Sequence, residues 1–291
     1  FMLDYEYQPK LVLHRENEQQ HIATCIKPLL NNRNGVNLLI HGTPGVGKTV
    51  CLKHVLSELK EHEDEISCIY INCWKKDTPH KIALEICEQI GYKWIHNKTT
   101  DELFKEITNI LNKKTVVFVI DEADKITDMG AIYFIVEDIY KKTILFITNE
   151  ISWLTKLDSR LKSRLVLEEL EFKSYNFDQT KDILKQRIEY AFVRDVWDED
   201  SFNLIAEKTY ELKDMRTGLF LLRETGNVAE DKSSKKITLQ HSQDAINRLS
   251  DFKTKSKEDL GEDASIILEI IKNHSGKTIK EIYDVYEKDG N

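Results

Sequence analysis

The sequence has 291 residues, of which 41% are hydrophobic and 32% are charged, an ordinary balance for a globular chain. Its length predicts two or three domains. No apolar run approaches the roughly 20 residues that cross a bilayer, and the N-terminal residues lack the basic and then apolar order of a secretory signal. The formal net charge of −8 means that the whole-molecule field does not attract nucleic acid, so DNA contacts would have to come from local patches.

The five cysteines form no C-x-x-C pair. Their odd number and scattered positions predict a reduced, cytosolic protein with buried single thiols and no zinc site.

The first half of the chain alternates short apolar runs with longer amphipathic stretches. Helical patterns cover residues 50–59, 79–90 and 101–111. Buried strands separated by helices predict an α/β domain with a parallel sheet over residues 1–172. The runs of strand length are Leu38–Ile40, Cys68–Ile71, Val116–Ile120, Ile144–Ile147 and, more weakly, Leu165–Leu167.

The second half shows only helical periods after Ser174, which predicts a small helical domain over residues 173–250. The polar stretch 251–263 is predicted to be an interdomain linker. Residues 264–291 begin a third unit, and because so short a segment buries too little apolar surface to fold alone, we expect this domain to be incomplete in the chain.

A glycine-rich loop lies between the first strand and the helix that follows it. Residues 42–49 match G-x-x-x-x-G-K-[ST] in full, with a strand before and a helix after. Its backbone N–H groups would close around phosphate oxygens, Lys48 would neutralise the β- and γ-phosphates, and Thr49 would hold Mg²⁺. The predicted nucleotide-binding residues of this loop are Gly42, Thr43, Pro44, Gly45, Val46, Gly47, Lys48 and Thr49.

Two carboxylates follow the most apolar strand directly. Asp121 and Glu122 would stand at its carboxyl end, where buried acids are costly unless an ion or water uses them. Asp121 is predicted to support the Mg²⁺ shell and Glu122 to polarise the attacking water as general base. The alternative for Glu122 is a solvated acid at a helix start.

Three further polar features have an ordinary explanation beside a functional one. Asn149 follows a strand and either orients the water or is a turn residue. Arg160 and Arg164 share a helix face and either reach a neighbouring subunit's γ-phosphate or form a solvated basic face. Arg216, at the start of an amphipathic helix, either contacts the nucleotide or lies at the surface.

Taken in order, these features resemble an AAA+ ATPase. The segments 7–11 and 14–18 resemble the N-terminal entry of the Orc1/Cdc6 replication initiators, archaeal branch. Residues 175–187 resemble the start of that family's lid, 215–223 its second sensor, and 157–165 its arginine-finger box. The tail 266–286 resembles the first half of its winged helix.

The resemblance implies an AAA+ P-loop NTPase fold, with a five-stranded parallel sheet flanked by helices on both faces, a helical lid and a partial winged helix. It implies a slow ATPase that binds ATP or ADP with Mg²⁺, recognises double-stranded origin DNA as a nucleotide switch, and helps load the MCM helicase together with other Orc1/Cdc6 subunits. No membrane contact is expected, and the location is the archaeal cytosol, at the nucleoid. By the same resemblance, Leu11, Val12, Tyr175 and Ile183 would wall the adenine.

The sequence departs from the family in three places. Lys213 stands where the family usually has glycine, which bears on the geometry of Arg216. Residues 125–143 leave little room for the helical insertion that grips DNA. The segment 251–291 holds seven lysines and ten acidic residues, and poor DNA binding by this chain is expected.

Two other functions remain open. The first is a helicase-loader or transposition-regulator ATPase, against which the entry segment and the winged-helix-like tail argue. The second is a nucleotide-locked DNA-binding scaffold with negligible turnover, which Glu122 and Asn149 disfavour.

Overall fold

The computed structural model describes residues 2–4, 7–63 and 65–258. The predicted winged-helix segment 264–291 lies outside this part of the chain. The chain divides into two compact units, one comprising residues 1–191 and 206–219, the other residues 192–205 and 220 onward.

The first unit is built on a parallel sheet of five strands, in the order β2-β3-β4-β1-β5. The fold predicted from the sequence, a parallel five-stranded sheet flanked by helices, is confirmed. The strands are β1 (Leu38–His41), β2 (Ile66–Asn72), β3 (Thr115–Asp121), β4 (Lys142–Thr148) and β5 (Glu168–Glu171).

Seven α-helices precede or connect these strands within the described residues, and four follow them. The first seven are α1 (Glu16–Ile26), α2 (Lys48–His62), α3 (Pro79–Gln89), α4 (Thr100–Leu111), α5 (Gly130–Asp138), α6 (Trp153–Lys156) and α7 (Ser159–Leu165). The other four are α8 (Phe177–Ala191), α9 (Glu199–Leu212), α10 (Met215–Asp231) and α11 (Leu239–Glu258).

The side chains of β3 alternate between two apolar cores, one on each face of the sheet. Phe118 and Ile120 pack with α3, α4 and α5, whereas Val117 and Val119 pack with α1 and α2. Every residue of β3 is buried. A strand covered on both faces has no polar side to alternate with, which explains why it appears in the sequence as an unbroken apolar run.

The fifth strand is not where the sequence predicted it. Leu165 ends α7 with its side chain buried, and Val166 takes a left-handed backbone (φ +43°) that ends the helix. The strand is residues 168–171, paired with β1 through Leu38↔Glu168 to His41↔Glu171. The prediction of a strand at 165–167 was wrong because β5 is a largely exposed edge strand, so it carries no apolar run, while the apolar leucine belongs to a helix.

The first compact unit extends past the predicted domain boundary at residue 172. Helix α8 contacts the N-terminal segment, where His14 Nε2 lies 3.0 Å from Asp182 Oδ2 and Gln186 Nε2 donates to the Leu11 carbonyl. The start of α10 contacts the glycine-rich loop, since Met215 N–H donates to the Gly45 carbonyl at 3.3 Å. These contacts place residues expected in a separate lid in one unit with the sheet.

The second unit has its own small helical core. The hydroxyls of Ser201 and Ser242 lie 2.6 Å apart in its interior, and Phe192 meets Trp197 edge-on with ring centroids 5.2 Å apart. Helix α11 continues to Glu258, so residues 251–258 are helical where the sequence suggested a linker. The rest of that linker lies outside the described residues.

None of the helices in the described part of the chain has the length and apolar character needed to cross a lipid bilayer.

Candidate nucleotide-binding site

The glycine-rich loop joins the end of β1 to the first turn of α2. Gly45 and Gly47 have φ angles of +78° and +88°, a region that side chains with a Cβ rarely adopt. A Cβ on Gly45 would also lie 1.9 Å from Asp214 Oδ1, and one on Gly47 would lie 2.8 Å from the Tyr175 hydroxyl. The loop conformation therefore requires glycine at both positions, and it directs the N-terminus of α2 toward the cavity described below.

Lys48 is buried, and protein oxygens surround its ammonium. Nζ donates to the carbonyls of Gly42 (2.7 Å) and Thr43 (3.0 Å) and to Asn149 Oδ1 (2.9 Å). Burial lowers the pKa of Lys48 to about 8, with the Glu122 carboxylate opposing the shift and the Arg216 guanidinium adding to it. The side chain is thus held at the loop as a cation at neutral pH.

The two acids stand at the carboxyl end of β3, as predicted. Asp121 is buried, and its Oδ2 accepts a hydrogen bond from the Thr49 hydroxyl at 3.1 Å. Its Oδ1 accepts from the Glu122 N–H at 2.9 Å. A hydroxyl and a carboxylate side by side form the oxygen donor set that Mg²⁺ prefers, so these two side chains suit that ion.

Glu122 has a left-handed backbone (φ +54°), which turns its side chain away from the strand direction. Its Oε2 accepts from Asn149 Nδ2 at 3.0 Å, and Asn149 in turn accepts from Lys48. Burial raises the pKa of the Glu122 carboxyl, and the carboxylates of Asp121 and Asp124 raise it further. A carboxyl with a raised pKa beside a buried lysine suits a proton acceptor.

A cavity of about 360 Å³ connects these groups, within the range of small-molecule sites. The predicted residues that line it are Leu11, Val12, Gly45, Gly47, Lys48, Thr49, Asp121, Glu122, Asn149, Tyr175, Ile183 and Arg216. The other loop residues, Gly42, Thr43, Pro44 and Val46, are not among its lining, and Val46 points into the core instead.

The two arginines of α7 are not brought to this cavity. Both pair with Glu137 on α5, Arg160 at 3.2 Å and Arg164 closer still. Their side chains are 64% and 41% exposed, which leaves them at the surface of the first unit.

Arg187 lines the cavity, and sequence reasoning gave it no role. It is buried, its guanidinium lies 5.1 Å from the Tyr7 ring centroid, and Nε and Nη1 have no hydrogen-bond partner among the described residues. Burial also lowers its pKa. An unpartnered buried guanidinium is costly to a protein, and an anionic or polar ligand in the cavity would satisfy it. In the sequence it is only the last residue of the segment 175–187, which resembles the start of the lid.

Arg15 contacts the residues that carry the site but does not line the cavity itself. Its Nη2 donates to the carbonyls of Val46 (3.0 Å) and Lys173 (2.6 Å), and Nε donates to the Tyr175 hydroxyl (3.1 Å). The guanidinium also lies 4.1 Å from the Tyr175 ring centroid. Arg15 therefore ties the glycine-rich loop to Tyr175. Arg15 belongs to the segment 14–18 that resembles the family's N-terminal entry, but the sequence does not indicate these contacts.

Lys213 takes the left-handed conformation, with φ +53°. This conformation gives a physical reason for the glycine that the resemblance leads one to expect there. Although residue 213 is a lysine and not a glycine, Arg216 still lines the cavity. The Arg216 backbone N–H donates to Asp214 Oδ1 at 2.9 Å.

The described cysteines are free. His21, Cys25 and Glu168 offer ligand atoms that lie within 4.8 Å of one another. However, burial and the nearby Glu168 carboxylate raise the pKa of Cys25 to about 11, which opposes formation of the thiolate that zinc binds.

Two protein families match the chain. An AAA domain covers residues 32–152, and a Cdc6 AAA+ ATPase-type lid domain covers residues 181–247, within the helical region 173–250 predicted to form a lid.

Two relatives and one solved structure are similar over most of the chain. The ORC1-type DNA replication protein 1 of Sulfurisphaera tokodaii is 32% identical, over 97% of this chain and 76% of that protein. The ORC1-type DNA replication protein of Methanocorpusculum labreanum is 31% identical, over 82% of this chain and 63% of its own length. The Aeropyrum pernix Orc1 protein, solved in complex with DNA, superposes with a TM-score of 0.78 at 27% identity, over 99% of this chain and 80% of that one.

Proposed function

This chain belongs to the ORC1-type DNA replication proteins, AAA+ ATPases that initiate replication, and from this premise we propose that it binds origin DNA as an ATP/ADP switch. The observation that carries the proposal is the chain of contacts from Lys48 through Asn149 to Glu122, beside the Thr49–Asp121 pair in one cavity. These groups are what ATP hydrolysis needs: a phosphate cation, an ion site and a general base.

The residues divide the chemistry among them. Lys48 and the N–H groups of residues 42–49 bind the phosphates, and Thr49 with Asp121 holds Mg²⁺. Mg²⁺, when bound, neutralises charge on the phosphate oxygens. Glu122 takes the proton of the attacking water, while Asn149 orients Glu122. Arg216 reports the phosphate state from the start of α10.

The base end of the nucleotide is assigned to Leu11, Val12, Tyr175 and Ile183, the predicted adenine wall. Their shared place in the cavity lining supports this assignment. Arg187 adds a guanidinium whose free Nε and Nη1 would meet the polar atoms of the bound nucleotide.

Partners follow from the same role. Origin DNA is the first, supported by the DNA that the similar Aeropyrum pernix protein holds. The MCM helicase and further Orc1/Cdc6 subunits are the others, and the archaeal cytosol at the nucleoid is where such a switch acts.

Arg160 and Arg164 are proposed as arginine fingers for a neighbouring subunit, because they are exposed and lie outside their own cavity. The isolated protein should then be a slow ATPase, since a finger supplied in trans adds about 10³- to 10⁵-fold. In a mixture of the two variants on origin DNA, the Lys48→Ala protein supplies the arginines and the Arg160→Ala/Arg164→Ala protein supplies an intact nucleotide site. If DNA stimulates ATP hydrolysis by wild type, but the turnover of the mixture never exceeds that of the two variants measured separately, the finger assignment fails.

The experiment that tests the function is footprinting of the full-length protein on its own replicon, with ATP and with ADP. We expect a defined protected site whose extent or affinity differs between the two nucleotides. Protection that is identical with either nucleotide would favour a nucleotide-locked scaffold, and the lack of a defined site would favour a helicase loader.

A further inference from the structure

Tyr70 lies near the end of β2, on the strand next to the one that carries Asp121. Its hydroxyl donates to Asp121 Oδ2, the same oxygen that accepts from Thr49. The two strands pair in parallel, with Tyr70 opposite Val119. The tyrosine therefore lies two residues before the carboxyl end of its strand, and its side chain extends toward that end to contact the Asp121 carboxylate. Three elements, α2, β2 and β3, therefore meet at one oxygen atom.

A phenol is protonated at physiological pH, so the Tyr70 hydroxyl is the donor in this contact and the Asp121 carboxylate is the acceptor. The Lys53 ammonium lies 5.1 Å from the centroid of the same ring, on its face. The Asn72 side chain also hydrogen-bonds to this hydroxyl.

We propose that Tyr70 is a positioning residue for the ion site. It fixes the rotation of the Asp121 carboxylate, so that Oδ2 faces the Thr49 hydroxyl and Oδ1 faces the Glu122 N–H. The inference rests on the proposed role of Thr49 and Asp121 in holding Mg²⁺.

A carboxylate can rotate about its last side-chain bond, and two donors from separate elements remove that freedom. The Thr49 hydroxyl keeps its proton and directs it to Oδ2, which leaves its oxygen lone pairs available to the ion. Groups that orient a metal ligand in this way typically contribute a factor of about 10 to 100 in metal affinity. A tyrosine that only fills space would contribute nothing to the ion dependence.

The test is a titration of nucleotide affinity against free Mg²⁺, using a fluorescent ATP analogue and the full chain. The variant is Tyr70→Phe, which keeps the ring and removes the hydroxyl. Tyr133→Phe is the matched control, because Tyr133 also donates its hydroxyl to an aspartate, Asp158, but away from the cavity. Melting temperatures verify that all proteins are folded.

We expect Tyr70→Phe to need about 10-fold more free Mg²⁺ for half of the ion-dependent gain in affinity. Its affinity in EDTA should equal that of wild type, and Tyr133→Phe should follow wild type throughout. Combining Tyr70→Phe with Asp121→Asn should add no further change in Mg²⁺ dependence, because the tyrosine acts through that carboxylate.

A Tyr70→Phe titration that superposes on wild type overturns the inference, as does an equal loss with and without Mg²⁺. Neither outcome touches the proposed function. Wild-type protein that binds no nucleotide would instead remove the proposed function itself.

Discussion

The cavity has two ends, the proposed phosphate end and the proposed base end, and their polar groups are arranged differently. At the phosphate end, Asn149 accepts a hydrogen bond from Lys48 and donates one to Glu122, so both of these charged side chains have a protein partner. At the base end, Arg187 is buried with two nitrogens that have no partner among the described residues. The first end is organised by its own hydrogen bonds, whereas at the second the guanidinium lies against the Tyr7 ring and two of its nitrogens lack hydrogen-bond partners among the described residues.

This difference shows at which end of the cavity a group that favours ligand binding lowers the stability of the ligand-free protein. A satisfied polar network costs the free protein little, but a buried, unpaired charge lowers its stability until a ligand satisfies it. We therefore expect substitutions at the phosphate end to affect phosphate chemistry, and substitutions at the base end to trade nucleotide affinity against stability.

The largest expected effect is at Lys48. Lys48→Ala should abolish ATP binding in calorimetry, because it removes a cation whose hydrogen bonds to charged oxygens contribute about 1.5–3 kcal/mol each. Lys53→Ala, a lysine that lines the same cavity, is the control and should bind. Unchanged ATP affinity in Lys48→Ala would contradict the assignment of the glycine-rich loop.

The second effect is on turnover. Glu122→Gln should leave binding intact and cut hydrolysis by roughly 10²-fold or more. Because the pKa of Glu122 is raised, the wild-type rate should fall on acidification at a higher pH than for an ordinary glutamate, as the base becomes protonated. A phosphate-release assay measures both, and a variant that hydrolyses at the wild-type rate would make Glu122 a mere surface acid.

At the base end, Arg187→Met should weaken ATP and ADP binding equally, by about 10-fold, since both nucleotides share that end. The free energy of unfolding of the nucleotide-free variant should not fall, because methionine removes two buried nitrogens that lack hydrogen-bond partners and can still pack against the Tyr7 ring. Lys185→Met, an exposed lysine on the same helix, is the control. Calorimetry and urea denaturation measure the two quantities, and lower stability with unchanged affinity would mean that Arg187 is purely structural.

The smallest expected effect concerns the backbone before α10. Lys213→Gly should raise the free energy of unfolding by about 0.5–1 kcal/mol. The left-handed conformation costs a residue with a Cβ about 1–2 kcal/mol, and the greater freedom of glycine in the unfolded chain offsets part of the gain. Lys213→Ala retains the strain and should give no gain. Urea denaturation distinguishes them, and equal stability of all three proteins would show that the strain is already relieved.

The phosphate end could be predicted from the sequence because its groups are contiguous or directly follow apolar strands. Residues 42–49, Asp121 and Glu122 each stand in a local pattern with a chemical reason. Tyr70 and Arg187 could not be assigned in this way, because their function depends on which strand or helix lies beside them. A tyrosine in a strand and an arginine in a helix are ordinary residues until tertiary contacts give them a partner or deny them one.

The position of β5 could not be predicted from the sequence for the same reason, because it depends on a tertiary contact. The central strands are buried on both faces and appear in the sequence as apolar runs, but an edge strand has no such requirement. Residues 168–171 are Glu-Glu-Leu-Glu, which has no strand signature, and pairing with β1 alone makes them a strand.

That acidic edge strand has a consequence for how copies of the protein can meet. The outer edge of β5 offers backbone groups that could template a further strand, yet the exposed glutamates 168, 169 and 171 flank that edge. A second copy approaching edge to edge would place like charges against one another in register. The acidic edge therefore disfavours the joining of sheets from two copies through β5.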